Sequence, residues 1–154
     1  MKMKKLSVGA CLTCLAAVLA IVAFISYSSN VGGEGYYKDA VVSNFPLFVW
    51  GGVACLVVAL VLNVVSKGKV IELISGVLRI GAPALLAFAL MNLIAGRIDG
   101  LGYIYFSNAD VAREVQTAAN LGSAQTAIWS MALLGVATLV AVVAAFFSLR
   151  GKEQ

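Results

Sequence analysis

The fold class this sequence predicts is an all-α polytopic membrane protein, a four-transmembrane-helix bundle, and three observations predict it. Of the 154 residues, 62% are hydrophobic and only 12% charged, where a soluble domain carries roughly a quarter charged. The charges are bunched between four apolar runs, each close to the ~20 residues that a helix needs to cross a bilayer. When those runs are drawn as spans, the basic residues segregate to one side. The whole chain, residues 1–154, reads as one domain with no room for a separate soluble unit.

The first span, LSVGACLTCLAAVLAIVAFISY, covers about residues 6–27, a helix of about 33 Å. Its basic start imitates a secretory signal, and VGAC imitates a lipoprotein cleavage site at Cys11. Too few apolar residues separate Lys5 from Cys11 for that, and the run continues to Tyr27, so a retained helix is expected. The second span covers about residues 46–66. Pro46 suits a first helical position, with Ser43 or Asn44 as the cap. Residues 70–79 carry Glu72 and Arg79 and predict a helix in the headgroup layer. Pro83 then marks a bend or a fresh start, and the third span follows at about residues 80–96. The fourth covers about residues 127–149.

Residues 97–125, RIDGLGYIYFSNADVAREVQTAANLGSAQ, are the longest stretch that a bilayer would not hold comfortably, and they predict an outer cap. Within it a short helix is expected, capped by Ser107 or Asn108, with Asp110 completing a capping box. Val111, Val115, Ala118 and Gly122 form its apolar face, and Asn120-Leu121-Gly122 its stop. The two outer loops also share a Gly-x-Gly-Tyr, at residues 33–36 and 100–103. That pattern is either a parallel repeat of two helical hairpins or two independent turns.

Orientation follows from charge. Lys2, Lys4, Lys5, Lys67, Lys69, Arg79, Arg150 and Lys152 fall on one side of the spans. Lys38, Arg97 and Arg113 fall on the other, against five acids. The positive-inside rule places both termini in the cytoplasm of a multi-pass protein of the cell membrane, with a prokaryotic plasma membrane expected. Aromatic residues such as Tyr27, Tyr36, Tyr37, Trp50, Tyr103 and Trp129 gather at the outer ends of the spans, where rings anchor in the headgroup layer. The bilayer is therefore the first partner, and nucleic acid is not one.

Little chemistry is expected. The chain has no histidine, which removes the commonest general base and metal ligand. No Gly-x-Ser-x-Gly elbow, phosphate loop, zinc spacing or calcium loop occurs, so neither enzymatic activity nor any metal or cofactor is predicted. Cys11 and Cys14 form a Cys-x-x-Cys, but within an apolar helix, where burial makes thiols inert. The central parts of the spans carry no acid or base, which counts against a proton-coupled carrier. Gly51, Cys55, Ala59 and Asn63 line one face of the second span at intervals of four. Ala89, Asn92 and Gly96 share one side of the third, and Ala137, Ala141 and Ala145 one side of the fourth. Such faces predict close helix packing, with the two amides alternatively lining a polar path.

Two function classes follow. One is an accessory or scaffolding subunit that binds another membrane or cell-surface protein, with Asp110, Arg113, Glu114 and Gln116 as the docking face. The other is a small channel, facilitator or holin-like pore formed by an oligomer, with Asn63 or Asn92 in the path. An intramembrane polar face left open favours the second; one consumed in packing favours the first.

Overall fold

The computed structural model describes residues 7–65 and 68–149. Lys2, Lys4, Lys5, Lys67, Arg150 and Lys152, on which most of the charge asymmetry rests, lie outside the described residues. The described chain is all-helical: α1 (Val8–Gly32), α2 (Phe45–Val65), α3 (Lys69–Ala95), α4 (Ile98–Phe106), α5 (Ala109–Val115) and α6 (Ala118–Ala145). Four stretches are long and apolar enough to cross a membrane: α1, α2, the run from α3 through α4, and α6. The expected four-helix bundle is present.

Several boundaries moved, each for a local reason. Ser7 caps α1 by accepting a hydrogen bond from the Ala10 amide at 3.2 Å. At its other end α1 runs on past Tyr27 through Ser28, Ser29 and Asn30, because Asn30 is buried and bonded to α6. Asn44 has φ +62°, a left-handed residue that turns the chain into α2, with its carbonyl accepting from the Phe48 amide. Pro46 stands second in α2 rather than first, still within the turn where a missing amide hydrogen costs nothing.

α3 is one unbroken helix, which corrects the expected division into residues 70–79 and 80–96. Pro83 lies inside it and is buried. Proline forfeits one helical hydrogen bond, but breaking the helix in apolar surroundings would strand several backbone groups at once. The smaller loss prevails.

The cap differs more. Residues 98–106 are helical, Asn108 alone caps α5 through the Val111 amide at 3.0 Å, and Asp110 therefore sits one position short of a capping box. The expected stop at Asn120-Leu121-Gly122 is instead the first turn of α6. Thr117 caps that helix through the Asn120 amide, and Asn120 Nδ2 donates to the Val115 carbonyl at the end of α5, beside the Thr117 amide. Polar residues that read as a terminator are here the joint between two helices.

The four long helices form a ring in the order α1, α2, α3, α6, and the broadest interfaces are α1 with α6 and α2 with α3. On α1 the buried positions Gly9, Thr13, Ala16, Ala20, Ala23, Tyr27 and Asn30 recur at alternating steps of four and three. On α6 Ser123, Ala127, Ser130, Leu134, Ala137, Ala141 and Ala144 do the same. That spacing averages about 3.5 residues, the period that keeps a left-handed supercoil in register. The steps-of-four faces drift off this seam: Ala137 and Ala141 are buried, but Ala145, Gly51 and Cys55 are only half-buried.

Small side chains set the spacing of α1 and α6. A Cβ on Gly9 would stand 2.5 Å from the Ser148 carbonyl oxygen and 2.8 Å from that of Phe147. Ala137 is fully buried, whereas its neighbour Val136 is about half exposed. We expect Ala137→Leu to destabilise the bundle by about 1–3 kcal/mol through overpacking, and Val136→Leu to leave it unchanged. Thermal unfolding of both variants in detergent checks this; equal midpoints would contradict the packing described.

Candidate functional site

The most unusual group in the protein is Arg97. It follows Gly96, the C-cap of α3, and itself caps α4. Here "loop end" denotes the end of the bundle that carries Arg97 and the α1–α2 connection. Arginine at the end of a span ordinarily reaches outward to water, yet Arg97 is only 1% exposed.

Two tyrosines hold it. The guanidinium carbon lies 4.5 Å from the centroid of the Tyr37 ring and 5.4 Å from that of Tyr27. Burying a charge without a counter-ion costs several kcal/mol, and each desolvated cation–π contact offsets about 2 kcal/mol. No carboxylate among the described residues pairs with it, and its Nε and Nη2 have no hydrogen-bond partner. The rings therefore carry the compensation that an acid would normally supply.

The connection between α1 and α2, residues 33–44, is a strap laid over this group. Tyr37 Oη donates to the Arg97 carbonyl at 2.6 Å, and the Tyr37 amide donates to Ser123 Oγ at 3.2 Å. Asn30 Nδ2 donates to the carbonyl and hydroxyl of the same Ser123, at 2.7 and 3.2 Å. Tyr27 Oη accepts from the Val42 amide at 2.8 Å, and the Asp39 amide donates to the Val31 carbonyl. The strap also needs backbone that few residues adopt: Gly35 at φ +114°, Asp39 at +59° and Asn44 at +62°. A Cβ on Gly35 would run into the Ala119 carbonyl and stand 2.7 Å from Ser123 Cβ. Glycine is required there on both counts.

The two Gly-x-Gly-Tyr segments meet at this point. Gly100 packs so closely on Tyr36 and Tyr37 that a Cβ would stand 2.5 Å from the first and 2.7 Å from the hydroxyl of the second. The Tyr36 and Tyr103 rings are 6.0 Å apart. Their backbones differ, however. The first is a turn through a left-handed glycine, while the second lies inside α4. They are partners across an interface, not copies of one conformation.

The opposite end of the bundle is closed by different polar contacts. Arg79 Nη2 donates to the carbonyls of Ala144 and Phe147 at the end of α6, the first of which also accepts from the Phe147 amide. Ser7 Oγ donates to the Ser148 carbonyl at 2.9 Å. Asn63 Nδ2 donates to the Ala59 carbonyl and, at 2.5 Å, to Ser75 Oγ of α3. Asn63 is thus engaged between two helices. Asn92 is half-buried near the far end of α3, and Gly96 is exposed beside Val42. Gly51 lies by Leu85, Cys55 is half-buried and Ala59 is buried. The expected pore-lining residues are therefore not brought together in one place.

On the cap, Asp110, Arg113 and Glu114 are exposed on α5, which has no buried residue, and Gln116 Nε2 donates to the Ile104 carbonyl at 3.0 Å. Gln116 therefore ties α5 to α4. Cys11 and Cys14 are free and exposed on the outer face of α1. Sequence reasoning counted Arg97 as one more loop cation and both tyrosines as interfacial anchors. The only signal that could have linked them is the aromatic density of both loops around an arginine directly after a span. The chain matches no known protein family, no curated protein and no solved structure.

Burial pushes the Tyr37 hydroxyl up to about 12, with the Arg97 guanidinium opposing the rise. The ordinary value is 10.0, so the folded chain holds this proton more tightly than the unfolded chain does. Its stabilising contribution is complete below about pH 10 and is lost as pH rises through about 12. We expect Tyr37→Phe to cost about 1 kcal/mol at neutral pH, from the lost hydrogen bond. It should also flatten the fall in stability between those two pH values. Unfolding midpoints of both proteins across the alkaline range measure this, and an unaltered alkaline slope in Tyr37→Phe would assign the titration to another group.

Proposed function

We propose that this protein is an accessory or scaffolding subunit of a cell membrane, with both termini cytoplasmic, that binds another membrane or cell-surface protein through its loop end. The observation that carries the reading is the division between a filled interior and a rigidly presented cap. Val53, Leu56, Leu86, Leu134 and Ala137 are buried together in one apolar core, which offers no polar path through a single copy. The amide of Asn63 is spent on helix packing, as expected of interhelical glue rather than of a channel wall.

The cap, by contrast, spends four side chains on order. Asn108 and Thr117 cap helices, Asn120 ties α6 to α5, and Gln116 ties α5 to α4. This holds Asp110, Arg113 and Glu114 outward on a fixed helix, next to α4 with its exposed Tyr103, Tyr105 and Phe106. Exposed rings beside charges of both signs suit a polar-rimmed protein interface. With the basic ends inside, that surface faces away from the cytoplasm.

Mass spectrometry of the protein extracted in native lipid particles from its own host tests this. We expect a stoichiometric second protein, whose capture falls roughly tenfold when Arg113→Glu and Glu114→Arg are combined, a loss of about 1.4 kcal/mol. A homo-oligomer without any second protein would overturn the scaffold reading and favour a pore formed between copies.

A further inference from the structure

We propose that Arg97 is a receptor for a single oxyanion, a phosphate or carboxylate group bound bidentately beneath the strap. Nε and Nη2 form the edge of a guanidinium whose N–H bonds run parallel, the fork that matches two oxygens of one oxyanion. Both are buried and neither has a partner in the chain. Arg79 differs in that its Nη2 is taken up by two helix-terminal carbonyls, which leaves only its Nε without a partner.

The surroundings hold the fork in place. Tyr37 and Tyr27 lie against the guanidinium, 4.5 and 5.4 Å from its carbon to their ring centroids. All three positive-φ residues described in the chain fall in the strap that lays Tyr37 there. Asn30 Oδ1 is a third unpartnered buried atom at the same end, an acceptor that would not itself bind an anion. Its amide nitrogen is fixed by Ser123, which also receives the Tyr37 amide. Three of the four buried, unpartnered polar side-chain atoms among the described residues therefore belong to this one cluster. Such atoms are costly without a partner, and two donors with a fixed positive charge call for an anion. Entry requires the strap to lift, so binding should tighten its backbone. The inference stands apart from the scaffold reading.

The oxyanion could be a free anion or the headgroup of a lipid, and the test separates them. Delipidated protein in detergent is titrated with inorganic phosphate, formate, short-chain phosphatidic acid and, at matched ionic strength, chloride, while its unfolding midpoint is followed. We expect a saturable rise of roughly 5 °C with phosphate or formate, absent with chloride and kept in the control Lys69→Arg. Arg97→Lys retains the charge but lacks the fork, so it should lose the rise. Should that variant not fold, hydrogen exchange of the wild-type Tyr37 and Val42 amides serves instead, and we expect it to slow on adding the anion. A response to phosphatidic acid but not to phosphate or formate assigns the site to a lipid headgroup. No saturable response to any oxyanion, an undiminished response in Arg97→Lys, or unchanged strap exchange would overturn the proposal.

Discussion

Close approach of α1 and α6 is the constraint on which the rest of the structure depends. Where lipid tails are as apolar as the side chains, burial alone does not drive helices together, and contact dispersion with short polar bonds must do it. Both fall off steeply with distance. The seam of glycine, alanine, serine and threonine lets the two backbones meet. The same closeness brings Ser7 to Ser148 at one end and Asn30 to Ser123 at the other. Ser123 then receives the Tyr37 amide, Tyr37 lays the strap, and the strap buries Arg97. A side chain too large on that seam acts on all of these in turn.

Two arginines illustrate how a mostly apolar chain accommodates charge. Arg79 meets two carbonyls at the end of α6, where the helix dipole also favours a cation. Arg97 meets ring faces instead, and keeps one edge of its guanidinium unpartnered. The first arrangement closes the bundle and leaves little to bind. The second joins α1, the strap and the α3–α4 junction around a directional, charged donor pair.

The strap and the cap do related work by different means. The strap is irregular and needs left-handed residues at Gly35, Asp39 and Asn44. The cap is nearly all helix, with each short segment ended or started by a side chain of its neighbour. The meeting of strap and cap at Gly100 and the Tyr36–Tyr103 pair makes one continuous surface of them.

Four helices, their approximate spans and the polar stretch between the third and fourth were legible in the residue order. An apolar run in a membrane must pair its backbone with itself, and that requirement is local. The cap at Asn108 follows from similarly local chemistry. Other features were not legible, because the information lies between segments distant in the chain. Valine and leucine face lipid as readily as core, so hydrophobicity did not reveal which side of each helix turns inward; alternating steps of four and three among small residues do. The continuity of α3 through Pro83, the rise of α6 from Ala118 and the burial of Arg97 were decided only in the tertiary structure. Each depends on a partner that only folding supplies: a bundle that buries the proline, an asparagine across a joint, two rings from elsewhere in the chain. Backbone self-sufficiency sets what a membrane sequence declares by itself, and close packing sets the remainder.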